Sequence, residues 1–182
     1  MSKIINSTFV SVDGVVNHMD AWHFAYIDEE SNDITLEQLS AATALLMGRA
    51  TYDVYAGAWP ERDGAYADAI NHLRKYVAST TLRSAHWHNS TIITDLIPAV
   101  EKLKHQDEGD ILMHGFGPVA RTLMRHGLLD ELHLWVHPRF AGVGGPGDML
   151  LSEGDNTALE LTGTRALRSG VVILSYRVAD AP

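Results

Sequence analysis

The chain contains no cysteine. That removes disulfide frameworks, thiolate nucleophiles and Cys-based zinc or iron–sulfur sites, and it fits a reducing, cytoplasmic compartment. No apolar run approaches the ~18 residues of a membrane span. The N-terminal stretch Met1 to Phe9 carries Asn6, Ser7 and Thr8 inside its apolar run and lacks a small-residue cleavage site, so it does not read as a secretion signal. Positive charge is scarce: 14 Lys and Arg against 23 Asp and Glu leave a net charge of −9 with His neutral. Such a surface repels polyanions, which excludes nucleic acid and membranes as partners and requires any bound phosphate to be held locally. The P-loop pattern G-x-x-x-x-G-K-[ST] and the G-x-S-x-G elbow are absent. Repeats, Pro/Ser-rich linkers and long like-charge runs are absent as well, so residues 1–182 are expected to form a single domain. With 46% apolar and 20% charged residues, the chain has the content to fold around a core rather than stay disordered.

Hydrophobic patterning predicts a strand over Lys3 to Val12, closed by the turn pair Asp13-Gly14. Val15 to Asn32 reads as a long loop with one short helical turn at most. Thr35 and Gln38 make a capping box that opens a helix running to about Ala44. Leu45-Leu46-Met47 is a buried strand stopped by Gly48, with helices over Arg49 to Gly57 and Asp63 to Leu73 after it. Further strands fall at Lys75 to Ser79, Thr91 to Thr94, Asp110 to His114 and Glu131 to His137, with helices at Pro98 to His105 and Val119 to His126. Leu159 to Leu167 and Val171 to Val178 flank a turn and read as a hairpin. Alternating strands and helices imply an α/β domain: a mainly parallel sheet, helices on both faces and a closing antiparallel hairpin. Ligands in such sheets bind beyond the carboxyl ends of the strands.

Three strand ends carry anion-binding chemistry. Gly115-Phe116-Gly117-Pro118-Val119-Ala120 fits G-x-G-x-x-A and opens a helix whose first amides could meet a diphosphate, although the turn also needs glycine for steric reasons alone. Gly48-Arg49-Ala50-Thr51 offers a guanidinium and a hydroxyl at a second helix start; the fork of Arg49 suits a ribose 2′-phosphate, and its alternative is a pair with Asp53 or Asp63. Ser79-Thr80 ends a third strand. A long ligand with several phosphates would need all three. Asp13 is the carboxylate best placed for proton chemistry, or else simply a turn residue. Among ten histidines, His18 with His23, His133 with His137, and His86-Trp87-His88 lack metal-ligand spacing, and no metal site is expected.

Ser11-Val12-Asp13-Gly14, Leu46-Met47-Gly48-Arg49-Ala50-Thr51-Tyr52, Val77-Ala78-Ser79-Thr80 and the block from Gly115 to Pro138 together resemble the dihydrofolate-reductase-like family. Within it they resemble the C-terminal reductase domain of riboflavin-biosynthesis deaminase-reductases and its stand-alone relatives. The resemblance implies a three-layer α/β/α fold and NADPH bound across the strand ends. It places Gly48, Arg49 and Thr51 at the adenosine end and 2′-phosphate, with Ser79 and Thr80 beside them. Gly115, Phe116, Gly117, Pro118 and Val119 then line the diphosphate turn, and Val12, Asp13, Gly14 and Val15 lie near the nicotinamide and substrate. Trp22, Tyr52 and Trp59 are the expected apolar walls of the substrate site. The riboflavin-pathway enzymes reduce 5-amino-6-(5-phosphoribosylamino)uracil and usually carry a basic residue after S-x-D-G and an acid before the glycine turn. This chain has Val15-Val16 and His114 instead, and Phe116 is bulkier than the residue usual between the glycines.

The expected function is therefore an NADPH-dependent oxidoreductase acting on a small heterocyclic (pterin or aminopyrimidine-like) or carbonyl substrate, with Asp13 orienting it or relaying a proton. The alternative is a non-catalytic nucleotide- or small-molecule-binding protein that keeps the reductase fold. A homodimer is expected from the resemblance and from the alternating apolar residues of Leu132-His133-Leu134-Trp135-Val136.

Overall fold

Leu45, Leu46 and Met47 are all buried, because the strand that carries them is covered on both faces. Leu45 and Met47 turn toward one helical layer, while Leu46 turns toward the other. The computed structural model describes residues 1–106, 109–151 and 156–179. Eight strands form one sheet: β1 (Ile4–Ser11), β2 (Ala44–Gly48), β3 (Arg74–Ala78), β4 (Ser90–Ile93), β5 (Ile111–His114), β6 (Glu131–His137), β7 (Leu159–Ala166) and β8 (Val172–Val178). Their spatial order is β4-β3-β2-β5-β1-β6-β8-β7. β1 to β6 run parallel, and only β8 and β7 are antiparallel additions at one edge.

Among the described residues six α-helices flank the sheet: α1 (Met19–Trp22), α2 (Glu29–Ala41), α3 (Arg49–Ala58), α4 (Ala65–His72), α5 (Leu96–Gln106) and α6 (Pro118–Arg125). α5 and α6 pack Val100, Ala120 and Leu123 against Ile4, Leu46 and Met113. On the opposite face Leu39 of α2 and Ile70 of α4 meet Leu45, Met47, Val77 and Leu112, and Ile34 of α2 covers Trp135 and Ile173. Each fully buried aliphatic side chain contributes about 2 kcal/mol. The three-layer α/β/α architecture with a mainly parallel mixed sheet agrees with expectation.

The N-terminal third differs from the sequence pattern. α2 opens at Glu29, two turns before Thr35, because Asp28 accepts the backbone N–H of Ser31 at 2.8 Å while the Asp28 N–H donates to the Ser31 hydroxyl at 2.9 Å. Thr35 instead lies inside the helix and donates to the carbonyl of Asn32. The predicted loop over residues 15–32 is thereby broken by α1, a 3-10 turn at Phe24–Tyr26 and the first turn of α2. The apolar residues of β6 pack within the chain: Leu132, Leu134 and Trp135 are buried in a strand flanked by β1 and β8, and Val136 is half-buried against the main core. No helix among the described residues is long and apolar enough to cross a membrane.

Candidate functional site

β2 and β5 are parallel neighbours, so the turns that follow them, into α3 and α6, lie side by side at the same edge of the sheet. Both turns are packed tightly. A Cβ built on Gly48 would lie 3.2 Å from Val119 Cγ2, and one built on Gly115 would lie 3.4 Å from Thr51 Oγ1. Gly115 also has φ of +76°, a region that side chains disfavour. Neither helix start is capped by a side chain: Gly48 and Gly117 occupy the N-cap positions. Two helix N-termini with unsatisfied amides therefore converge on one place, where both dipoles favour negative charge. A Cβ on Gly117 would meet nothing within 4 Å, so the space over the start of α6 is open.

The remaining strand ends join this edge. Arg49 Nε donates to both carboxylate oxygens of Asp53 at 2.8 and 2.7 Å, an exposed pair one helical turn apart. Such a pair is worth only a few tenths of a kcal/mol, so a phosphate dianion can compete for the guanidinium. Gly48 and Ala78 are in register at the ends of β2 and β3, so Arg49 and Ser79 each follow a strand end on the same edge of the sheet. The Ser79 hydroxyl accepts the N–H groups of Thr81 and Leu82, shaping the chain where it leaves the sheet. On the far side, Arg121 of α6 lies over the Phe116 ring, 5.3 Å from its centroid, and donates to the carbonyls of Met149 and Leu150. Leu150 N–H in turn donates to the Gly14 carbonyl at 2.7 Å, and Val15 bridges Met149. Turns after β1, β2, β5 and β6 thus form one contiguous rim.

Asp13 holds that rim together. Its Oδ1 accepts the Ser11 hydroxyl at 2.6 Å and the Ala141 N–H at 2.8 Å, and Oδ2 accepts the Gly142 N–H at 3.1 Å. These donors favour the carboxylate, the Ser11 hydroxyl first, and hold its pKa at about 2. The group is therefore ionised at neutral pH. Val12, half exposed, is fixed by its N–H to the Arg139 carbonyl.

The remaining expected site residues differ in what they present to the rim. Phe116 is buried in the main core and shows only its backbone to the turn. The Val15 side chain is buried too, and Pro118 at the helix start has no N–H to offer a phosphate. Trp22, Tyr52 and Trp59 do not form one wall. Tyr52 is buried with its hydroxyl accepting the Trp87 N–H at 3.1 Å. Trp59 ends α3, ~15 Å from the helix start, and packs on Tyr66 and Tyr55. Trp22 lies against His23 and His137, at the ends of β1 and β6.

Two polar pairs escaped the sequence pattern. Tyr55 Oη and His114 Nδ1 are 3.1 Å apart directly before the glycine turn. Burial pushes His114 down to about 4 and the Tyr55 phenol up, so the neutral imidazole accepts and the phenol donates. His23 Nδ1 and His137 Nε2 meet at 2.9 Å inside an aromatic cluster. The grouping of His18 with His23 and of His133 with His137 followed proximity in the chain; the fold pairs one member of each. Among the described residues no cluster of three or more His, Cys, Asp or Glu could hold a metal ion.

Comparison with known proteins gives the family and the fold. The family model of the RibD C-terminal domain matches residues 2–173. The uncharacterized protein YyaP of Bacillus subtilis is 27% identical over 143 residues, covering 76% of this chain and 75% of its own. Among solved structures, a putative riboflavin biosynthesis protein from Shewanella superposes with a TM-score of 0.77 at 16% identity, covering 99% of this chain and 100% of its own. A pyrimidine reductase-like protein from Corynebacterium diphtheriae gives 0.70 at 15% identity, covering 99% and 93%. The fold is the dihydrofolate-reductase-like one. The chain belongs to the RibD C-terminal domain family, which supports an oxidoreductase-like role.

Proposed function

We propose that this member of the RibD C-terminal domain family is an NADPH-dependent reductase of a small heterocyclic, pterin or aminopyrimidine-like, or carbonyl compound. The observation that carries this is the contact between the Gly48–Thr51 and Gly115–Val119 turns, which brings two uncapped helix N-termini and Arg49 to one rim. An elongated ligand with a diphosphate and a separate phosphate monoester matches that charge pattern. The amides at the start of α6 would hold the diphosphate over the open space at Gly117, Arg49 would exchange Asp53 for the 2′-phosphate, and the Val12–Gly14 turn would adjoin the nicotinamide. The cofactor, when bound, supplies hydride.

The chain's own contribution is position. Asp13 is the orienting group: it fixes the turn after β1 against the loop after β6 and stays ionised while doing so. NADPH titration followed by turnover with pterins and aminopyrimidines tests the assignment. Saturable NADPH binding together with substrate-dependent loss of the reduced nicotinamide supports it; NADPH binding without oxidation by any such compound would favour a binding protein.

A further inference from the structure

The tautomers of His137 and His23 are fixed by a backbone carbonyl. His137 Nδ1 lies 2.9 Å from the Trp135 carbonyl oxygen, which can only accept, so Nδ1 carries the proton and Nε2 is left with a lone pair. His23 Nδ1, 2.9 Å from that Nε2, must then donate, and the lone pair passes to His23 Nε2. This last nitrogen has no hydrogen-bond partner among the described residues and is open to solvent. Phe9 stacks on the His23 ring at 4.1 Å, and Trp22 and Tyr26 meet His137 edge-on, so both imidazoles are locked in place. Burial keeps both neutral, with His23 down at about 4.

The pair stands at the carboxyl ends of β1 and β6, where His137 is in register with Ser11, the residue that holds Asp13. Beside it is Phe24, 62% exposed, with its ring 5.3 Å from that of His23. An unpartnered acceptor of fixed tautomer next to an exposed aromatic face is a subsite with defined chemistry. We propose that His23 Nε2 accepts a hydrogen bond from a ring N–H or O–H of a planar heterocycle lying against Phe24, making His23 a specificity-determining residue of the substrate site. This rests on the reductase assignment for its biological meaning, but binding can be read without cofactor.

The test uses the full chain without nucleotide and two probes, lumazine and its ring N,N′-dimethyl derivative, which keeps the ring system but has no N–H donor. In the wild-type protein, imidazole nitrogen shifts by NMR are expected to show both histidines protonated on Nδ1, with the His23 Nε2 resonance moved by lumazine. Lumazine is expected to bind about tenfold tighter than the dimethyl probe. His23→Phe should erase that preference, and Phe24→Ala should weaken both probes alike. A proton on His23 Nε2 in the wild type, equal affinity for the two probes, or binding of neither overturns the proposal. NADPH titration of the same sample keeps the two assignments apart. Cofactor binding without donor preference removes the subsite alone, whereas donor preference without cofactor binding removes the reductase alone.

Discussion

The methyl that Gly48 lacks would stand 3.2 Å from Val119 Cγ2. Gly48 has an ordinary φ of −79°, so space rather than backbone freedom demands glycine here. Gly48→Val should therefore push the start of α6 off that of α3 and weaken NADPH binding about tenfold or more, with the sheet intact by circular dichroism. Calorimetric titration of the variant checks this; unchanged affinity would separate the two helix starts from the cofactor site.

Asp13 accepts hydrogen bonds from two backbone amides and one hydroxyl. In Asp13→Asn the carboxamide nitrogen must face a donor, so the loop after β6 loosens while the Arg49 end of the rim is untouched. Turnover should drop about tenfold, the thermal midpoint should fall, and NADPH affinity should hold. Because the carboxylate already titrates at about 2, the wild-type pH–rate profile should contain no ionisation from Asp13 near neutrality. Full turnover in the variant would leave Asp13 as a turn residue only.

Lys75 is completely buried, with Nζ donating to the carbonyls of Asn71, Leu73 and His88 and lying 4.3 Å from the centre of a Trp87 ring. Lys75→Met keeps the stem but strands three acceptors at the junction of α4, β3 and β4. We expect a loss of about 2–4 kcal/mol in urea unfolding, far from the cofactor rim and without effect on NADPH affinity per folded molecule. A loss below ~0.5 kcal/mol would show that the ammonium is not structural.

Acid should destabilise the fold through its histidines. Burial lowers His23 from 6.5 to about 4, so between those values the unfolded chain binds more protons than the folded one. The stabilisation is complete above about 6.5 and is lost as pH falls toward about 4, by about 2–3 kcal/mol for this residue. His137 and His114 are lowered in the same direction. Urea midpoints measured across that range should slope less steeply in His23→Phe; identical slopes would mean that His23 does not titrate differently on folding.

Much of this architecture is legible in the residues because it follows from burial alone. The run Leu45-Leu46-Met47 could only be a strand covered on both sides, and the glycines at 48 and 115 mark turns that a side chain would obstruct or strain. Local chemistry misled where two signals competed. Thr35 and Gln38 imitate a capping box, while the operative box uses Asp28 and Ser31, a pairing without the usual Glu or Gln at the third position. Of the three aromatic residues assigned to one wall, Tyr52 and Trp59 are set apart by rotation around and along α3, and Trp22 stands on α1 against His137, separations that residue type does not encode. His23 and His137 are 114 residues apart, and only the parallel pairing of β1 with β6 and the fold of the 17–27 segment bring them together.

The central claim is that the two glycine-bearing helix starts and Arg49 together grip a phosphorylated dinucleotide. Its most direct test is calorimetric titration of NADPH and NADH into the wild type and Arg49→Ala. The account predicts NADPH binding about tenfold tighter than NADH in the wild type, with the difference collapsing in the variant because NADPH alone loses affinity. Equal affinities in the wild type, or a preference that survives removal of the guanidinium, would contradict it.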